Sequence, residues 1–176
     1  MQRRTSLTWL GRAALVSLGA LALGGCGFAL RASQDFAFQT LAIQPNPGGG
    51  VALELRRSFG EAVRVLAPEE ALTQAQVVLE VLQELREKTV VGVSSSGQVR
   101  EFQLRLRVKF RIRTPQGVEL VPDGEIVQKR DISFNESAVL AKEAEEALLY
   151  RNMQSDIVQQ LMRRLAKVRL DHAARP

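Results

Sequence analysis

Two reactive side chains occur only once in this sequence: the thiol of Cys26 and the imidazole of His172. A catalytic nucleophile needs a base within hydrogen-bonding reach, but His172 lies in the tail DHAARP, which we expect to be frayed. The glycines at 48–50 precede a predicted helix without the Lys-Ser/Thr end of a phosphate-binding loop, and no H-E-x-x-H pattern occurs. The sequence therefore predicts a protein without catalytic residues, without a metal site and without a cofactor.

Cys26 follows a segment typical of a secretory signal peptide. Its parts are a basic start (Arg3, Arg4, Arg12), an uncharged apolar run over 13–23, and an exit of small residues (Gly24, Gly25). A transmembrane helix needs about 20 apolar residues, a length reached only if the chain as far as Leu30 is counted. A signal peptide is therefore favoured over a retained anchor.

The residues Leu23-Gly24-Gly25-Cys26 resemble a bacterial lipobox, in which the cysteine becomes the first mature residue and carries lipid. The resemblance implies a diacylglyceryl thioether and an acylated amine on Cys26, and several acyl chains anchor a protein firmly where one does not. Gly27 stands where an inner-membrane retention signal would usually have Asp, which favours the outer membrane. We therefore expect a signal peptide over 1–25 and a lipidated tether over 26–35. The alternative is a free cysteine in a discarded signal.

Export changes what the charge of the chain implies. The chain carries 24 basic and 19 acidic residues, a net charge of +5 that could suggest nucleic acid as a partner. Removal of the signal takes three basic residues and leaves +2, in a compartment without nucleic acid. The 151 residues from Cys26 onward suffice for one domain, which has no further cysteine for a disulfide and must depend on its core.

The sharpest pattern is the alternation over residues 102–113. One side is apolar (Phe102, Leu104, Leu106, Val108, Phe110, Ile112), and the other carries a row that we name the cation ladder: Arg105, Arg107, Lys109, Arg111 and Arg113. A period of two predicts a strand with one buried face. Arginine offers bidentate geometry to phosphate, so the ladder could bind several phosphates. The alternative is an ordinary solvated sheet face.

The segment before the ladder predicts the other strand of a hairpin. Apolar residues alternate over 77–93: Val77, Leu79, Val81, Leu85, Val91 and Val93. The connection SSSGQ at 94–98 predicts a two-residue loop at Ser95-Ser96 or Ser96-Gly97. With the first of these loops, Glu84 would face Arg107 and Glu80 would face Arg111.

The remaining segments complete a predicted fold. They are a strand over 36–43, an amphipathic helix over 52–66, turns at 114–117 and 122–124, a strand over 125–134, and a helix from about Ser137 with Ala144, Leu148, Met153, Ile157, Leu161, Leu165 and Val168 on one stripe. The order strand-helix-strand-strand-strand-helix predicts a two-layer α+β domain over 36–169, with a four-stranded, mostly antiparallel sheet and two helices on one face. Residues 170–176 are expected to be a flexible tail.

Several motifs along the mature chain resemble the LptE family of lipopolysaccharide-assembly lipoproteins. They are CGFALR at 26–31, SSGQVREFQL at 95–104, Phe134-Asn135, LAKEAEE at 140–146 and QLMRRL at 160–165. None is decisive alone, but their joint occurrence in this order is quite specific. The resemblance also implies the α+β fold described above.

In function, the resemblance implies a non-enzymatic outer-membrane lipoprotein of Gram-negative bacteria. Such a protein plugs the lumen of the β-barrel LptD from the periplasmic side, forms a heterodimer with it, helps it assemble and binds lipopolysaccharide. Family members often carry a basic residue at the hairpin tip; Ser94–Ser96 occupy it here, and Arg100 could substitute. Lys142 of the LAK motif is preserved. The candidate residues for binding lipopolysaccharide or the partner are thus the cation ladder, Arg100 and Lys142.

Two other classes of protein stay open from the sequence. One is a pilotin-like lipoprotein chaperone for another outer-membrane barrel or secretin, in which the cation ladder would bind protein and not lipid. The other is a lipid-anchored hydrolase, against which the shortage of a nucleophile-base pair counts.

Overall fold

A computed structural model describes residues 34–45 and 48–170 of the chain. In order, these residues form β1 (Thr40–Gln44), α1 (Gly50–Ser58), β2 (Arg64–Val65), β3 (Val77–Val93), β4 (Val99–Arg113), β5 (Glu119–Ser133) and α2 (Val139–Leu165), with single 3-10 turns at Leu72–Gln74 and Glu136–Ala138. The two helices and one face of the sheet share a single apolar core. The predicted α+β class is confirmed.

The sheet has five strands in the order β2-β1-β3-β4-β5. The predicted count of four strands was wrong, and the sheet is mixed because β1 runs parallel to both β2 and β3. The extra strand arises where the helix over 52–66 was expected to continue. Gly60 adopts a φ of 54°, the helix ends at Ser58, and Arg64 pairs with Thr40. Val63 and Leu66 are buried all the same, which explains the misleading periodicity.

The hairpin between β3 and β4 closes with three loop residues, not the two that were predicted. The Ser94 N–H donates to the Gln98 carbonyl at 2.8 Å, and Gly97 has a φ of 81°, a geometry that three-residue loops favour. Odd-numbered residues of the two strands therefore pair along most of the hairpin, with Leu85 opposite Arg107.

A β-bulge between Val81 and Gln83 then shifts the register by one residue. Below the bulge Glu80 pairs with Arg111, as predicted, but above it Glu84 pairs with Val108 and not with Arg107. Val77, Leu79 and Val81 are buried as expected, whereas Leu85, Val91 and Val93 are 37%, 51% and 62% exposed.

Polar side chains of β3 occupy the helix-facing side in their place. A Glu84 carboxylate oxygen accepts a hydrogen bond from the Val51 N–H at 3.1 Å, at the start of α1. An Arg86 nitrogen donates to the Gln154 side-chain oxygen at 3.3 Å. These contacts join the middle of β3 to both helices.

The buried stripe of α2 also differs from the prediction. Its buried residues include Tyr150, Met153, Ile157, Leu161 and Leu165, whereas Ala144 and Leu148 are exposed. Leu148 lies five positions before Met153, a spacing that places it on another side of a helix with 3.6 residues per turn.

The last strand is longer than expected, because β5 includes the predicted turn at 122–124. Pro122 is tolerated there because it lies at a register shift of an edge strand, between the pairs Phe110–Gly124 and Ile112–Val121. Gly124 pairs with Phe110, and a Cβ at Gly124 would lie only 2.8 Å from Cζ of that ring. The turn at 114–117 is confirmed by the hydrogen bond from the Gly117 N–H to the Thr114 carbonyl.

Candidate functional site

The cation ladder lies along the middle of the sheet face opposite the helices. Its strand, β4, is flanked by β3 and β5, and the intervening residues Leu104, Leu106, Val108, Phe110 and Ile112 are all fully buried beneath the helices. The strand phase inferred from the sequence is therefore confirmed for β4. Lys109 is exposed, while the four arginines are half-buried.

Neighbouring strands supply carboxylates to the ladder, which the alternation within β4 could not show. The pairs are Arg113 with Glu80 at 2.7 Å, Arg111 with Asp123 at 2.5 Å, and Arg105 and Arg107 with the shared Glu87 at 3.7 and 3.6 Å. The hydrogen bond from Arg111 holds the pKa of Asp123 below its ordinary value. Four of the five cations are thus partly neutralised across the sheet.

Lys109 is the exception in the ladder, since it forms no ion pair with any described residue. Its cross-strand neighbours are Gln83 and Glu125, and the next row contains Leu85, Arg107 and Val127. The side chains of Leu85 and Val127 are each 37% exposed. Lys129 of β5, opposite Arg105, likewise forms no ion pair with a described residue, so the face is a mixture of paired charges, two unpaired lysines and apolar side chains.

A second group of cations surrounds a small cavity at the hairpin end of the sheet. The cavity, of about 70 Å³, is lined by Lys88, Phe102, Ile132, Ser133, Phe134, Val139, Lys142, Glu143 and Glu146. We name it the Lys142 cavity. It lies far from the end of the sheet where the described chain begins. At that end the Gln39 N–H donates to the side-chain oxygen of Gln76, the residue before β3. Lys88 is 11 residues along β3 from Val77, which places the cavity roughly 36 Å from that end.

Lys142 is held in place on the first turn of α2. Its Nζ donates to the Ser133 hydroxyl and to a Glu145 carboxylate oxygen, each at 2.9 Å. An ammonium group has three donors, so one remains for a ligand. The side chain of Lys142 is only 22% exposed, which makes its position well defined.

Lys88 approaches the same cavity from β3. Its Nζ donates to a Glu146 oxygen at 2.6 Å and lies 4.4 Å from the centre of the Phe102 ring. Phe102 in turn packs edge-on against Phe134, with ring centroids 5.3 Å apart. Sequence reasoning missed Lys88 because the two-residue loop would have turned this side chain to the ladder face.

Arg100 lies near this cavity but does not line it. It is exposed and lies at a register shift of the hairpin, where Glu101 pairs with Gly92 and Val99 pairs with Val93, and its carbonyl accepts a hydrogen bond from the Phe134 N–H at 2.7 Å. Lys142 and Arg100 thus lie at the hairpin end of the domain. The cation ladder runs along the sheet face opposite the helices. The sequence-predicted residues therefore form two surfaces and not one.

The remaining site prediction concerns lipid attachment. Cys26 and the signal segment 1–25 lie outside the described residues. Neither described helix is long and apolar enough to cross a bilayer. Over residues 34–45 and 48–170, no group of His, Cys, Asp or Glu side chains has a geometry suited to a metal ion.

Comparison with known proteins identifies relatives of the whole domain. The family model LptE, described as lipopolysaccharide-assembly, matches residues 38–165. The LPS-assembly lipoprotein LptE of Pectobacterium atrosepticum is 28% identical over 159 residues, covering 88% of this chain and 84% of that protein. The protein of the same name from Yersinia pestis is 29% identical over 163 residues, covering 91% and 76%.

Solved structures agree with these relatives. The solution structure of lipoprotein B from Nitrosomonas europaea has a TM-score of 0.68 and 31% sequence identity, and the match covers 80% of this chain and 90% of that one. The crystal structure of rare lipoprotein B from Shewanella oneidensis, at 21% identity and a TM-score of 0.61, shares the fold. Since the family model covers most of the domain, the chain belongs to the LptE family of lipopolysaccharide-assembly lipoproteins.

Proposed function

We propose that this protein is an outer-membrane lipoprotein, anchored by lipid on Cys26, that plugs and helps assemble the LptD β-barrel and binds lipopolysaccharide without performing catalysis. Family membership supports a role in lipopolysaccharide assembly and favours this function over a pilotin-like chaperone for another barrel or secretin. The domain would lie on the periplasmic side, within the barrel lumen.

The observation that carries lipopolysaccharide binding is the composition of the Lys142 cavity. Lys88 and Lys142 stand beside a lining that includes the rings of Phe102 and Phe134. Lipopolysaccharide combines phosphate groups with acyl chains, and this pairing of cations with apolar side chains matches both. A phosphate would accept charge-assisted hydrogen bonds from the free donors of the two lysines.

Acidic residues around the cavity would compete with a phosphate for the two lysines. Glu145 and Glu146 accept hydrogen bonds from the ammonium groups of Lys142 and Lys88, and Glu143 also lines the cavity. A phosphate must displace or share at least one of these carboxylate contacts. Binding should therefore be of moderate strength and reversible, as transfer of a lipid requires.

The cation ladder fits a protein partner better than a lipid. Most of its charge is offset by Glu80, Glu87 and Asp123, so it offers little net field to a row of phosphates. A sheet face of paired charges with some apolar side chains is, however, suited to the polar interior wall of a barrel. We assign the ladder to the barrel and the Lys142 cavity, with Arg100 nearby, to lipopolysaccharide.

Co-purification tests the partner directly. The full-length lipoprotein, expressed in its native host and extracted from the membrane in detergent, should co-purify with a single LptD-like barrel in a ratio of one to one. Arg107→Glu combined with Lys109→Glu should keep the fold and lower the yield of the barrel, while Lys167→Glu, beyond the end of α2, should not. Recovery of a secretin or of a different barrel would contradict the proposed function.

A further inference from the structure

Strand β3 is much longer than the strand beside it. β1 pairs only with Val77–Glu80, so over the part of the chain that the structure describes no strand flanks that side of Val81–Val93. We name this segment the free edge. At about 3.3 Å per residue it is roughly 40 Å long, and its backbone can accept a further strand.

The two edges of the sheet differ in their protection against pairing. β5, the strand that forms one outer edge, contains Pro122 and the charged run Lys129–Asp131, features that discourage strand addition. The free edge also contains a charged run, Arg86–Lys88, but those side chains are bonded within the domain, and the edge ends in Thr89–Val93, which has no charge and no proline. Val90, Val91 and Val93 are 45%, 51% and 62% exposed there.

We propose that the free edge pairs with an extended, uncharged segment of the barrel partner that is rich in β-branched residues, and that this segment adds a strand to the sheet. This inference rests on the proposed function and deepens it by assigning a surface to the barrel contact. Main-chain hydrogen bonds would provide affinity, and the exposed valines would select apolar side chains in the incoming segment.

The contacts of the free edge favour pairing through the backbone. On the helix-facing side, the side chains of Glu84, Arg86 and Lys88 already form hydrogen bonds to α1 or α2. An incoming strand therefore needs no charged residues opposite them. The Tyr150 hydroxyl donates to the Glu87 carbonyl at 2.7 Å, which fixes the strand against α2 but also engages one main-chain acceptor of the segment. Between the bulges, Gln83–Val90 pairs regularly with β4, a length typical of a strand.

Charge disfavours a second copy of the chain as the occupant. Antiparallel pairing of two free edges along their full length centres on Glu87, which would face its own copy. In the same register Arg86 would face Lys88. Like charges directly opposite one another are destabilising, so the structure points to a different chain as the partner.

Hydrogen–deuterium exchange on the full-length lipoprotein, alone and co-purified with its barrel, tests this inference. We expect alternate amides of Gln83–Val90 to exchange at least tenfold more slowly in the complex, while those of Lys129–Asp131 on β5 change less. Val91→Lys with Val93→Lys should fold normally and retain severalfold less barrel. The matched control is Val118→Lys, at a 43% exposed valine in the turn between β4 and β5.

The outcomes separate this inference from the proposed function. A complex in which the free edge exchanges as fast as in the isolated lipoprotein overturns the inference alone. Slow exchange in the isolated lipoprotein that becomes fast on dilution identifies a second copy as the occupant and also overturns it. Failure of the two chains to co-purify overturns the proposed function and the inference together.

Discussion

Lys88 of β3 and Lys142 of α2 line the same small cavity, although they are 54 positions apart along the chain. The register of the hairpin between β3 and β4 makes this possible, because Lys88 pairs with Leu104 on the helix-facing side of the sheet. A loop shorter by one residue would turn Lys88 to the ladder face. The length of the Ser95–Gly97 loop is thus coupled to the composition of the proposed lipid site.

Tyr150 provides a measure of how firmly α2 is held against β3. Burial raises the pKa of this phenol above its ordinary value of 10.0. The neutral phenol is therefore favoured in the folded state. The stabilisation that follows is complete below pH 10 and is lost as the pH rises through the folded-state pKa. Tyr150 is the only tyrosine in the chain, so tyrosinate absorbance reports it alone, and we expect a midpoint above 10 in the folded protein.

The matched variant Tyr150→Phe removes the hydroxyl but keeps the ring. It should lower the free energy of unfolding by about 0.5–1.5 kcal/mol, the usual value of one hydrogen bond, and abolish the alkaline absorbance change. A wild-type midpoint equal to that of the denatured chain would contradict the buried position of the phenol.

Glu84 should stabilise the start of α1 although it belongs to β3. Its carboxylate accepts from the Val51 N–H, one of the donors that a helix leaves unpaired in its first turn. We expect Glu84→Ala to lower the free energy of unfolding in urea by about 0.5–2 kcal/mol. Glu61→Ala, in the exposed loop after α1, is the control and should change stability by less than about 0.5 kcal/mol. Equal effects of the two changes would argue against the cap.

Gly124 should be required by the ring of Phe110. A Cβ at this position would lie 2.8 Å from the ring, so Gly124→Ala forces a shift that we expect to cost about 1–3 kcal/mol of stability. In a Phe110→Leu background, where the ring is absent, the same change should cost clearly less. A double-mutant cycle by chemical denaturation measures the difference, and strictly additive effects would refute the steric explanation.

Cys26 should carry lipid in the mature protein. Mass spectrometry of the membrane-extracted protein should show an N-terminus at Cys26 with three acyl chains, and Cys26→Ser should prevent both lipidation and processing. Detection of an intact, unmodified Met1 would exclude this assignment.

Much of the domain could be predicted from local pattern. The strict alternation over 102–113 correctly identified the buried face of β4, because side chains alternate across any strand with one buried face. The pattern of β3 was misleading, since a β-bulge and the length of a glycine-containing loop decide its register and neither changes hydrophobic periodicity. Of the carboxylates that neutralise the ladder, Glu80 could be predicted from the hairpin, whereas Glu87 and Asp123 became visible only once the pairing of the strands was known.

Binding of purified lipopolysaccharide to the detergent-solubilised lipoprotein tests the central claim most directly. Lys88→Gln with Lys142→Gln removes two charge-assisted contacts, each worth about 1.5–3 kcal/mol, so we expect the dissociation constant to rise at least tenfold while the melting temperature and co-purification with the barrel stay close to wild type. Arg107→Glu with Lys109→Glu should leave the dissociation constant nearly unchanged. Unaltered binding by the lysine variant, or a tenfold loss in the ladder variant alone, would contradict the assignment of the Lys142 cavity to lipopolysaccharide.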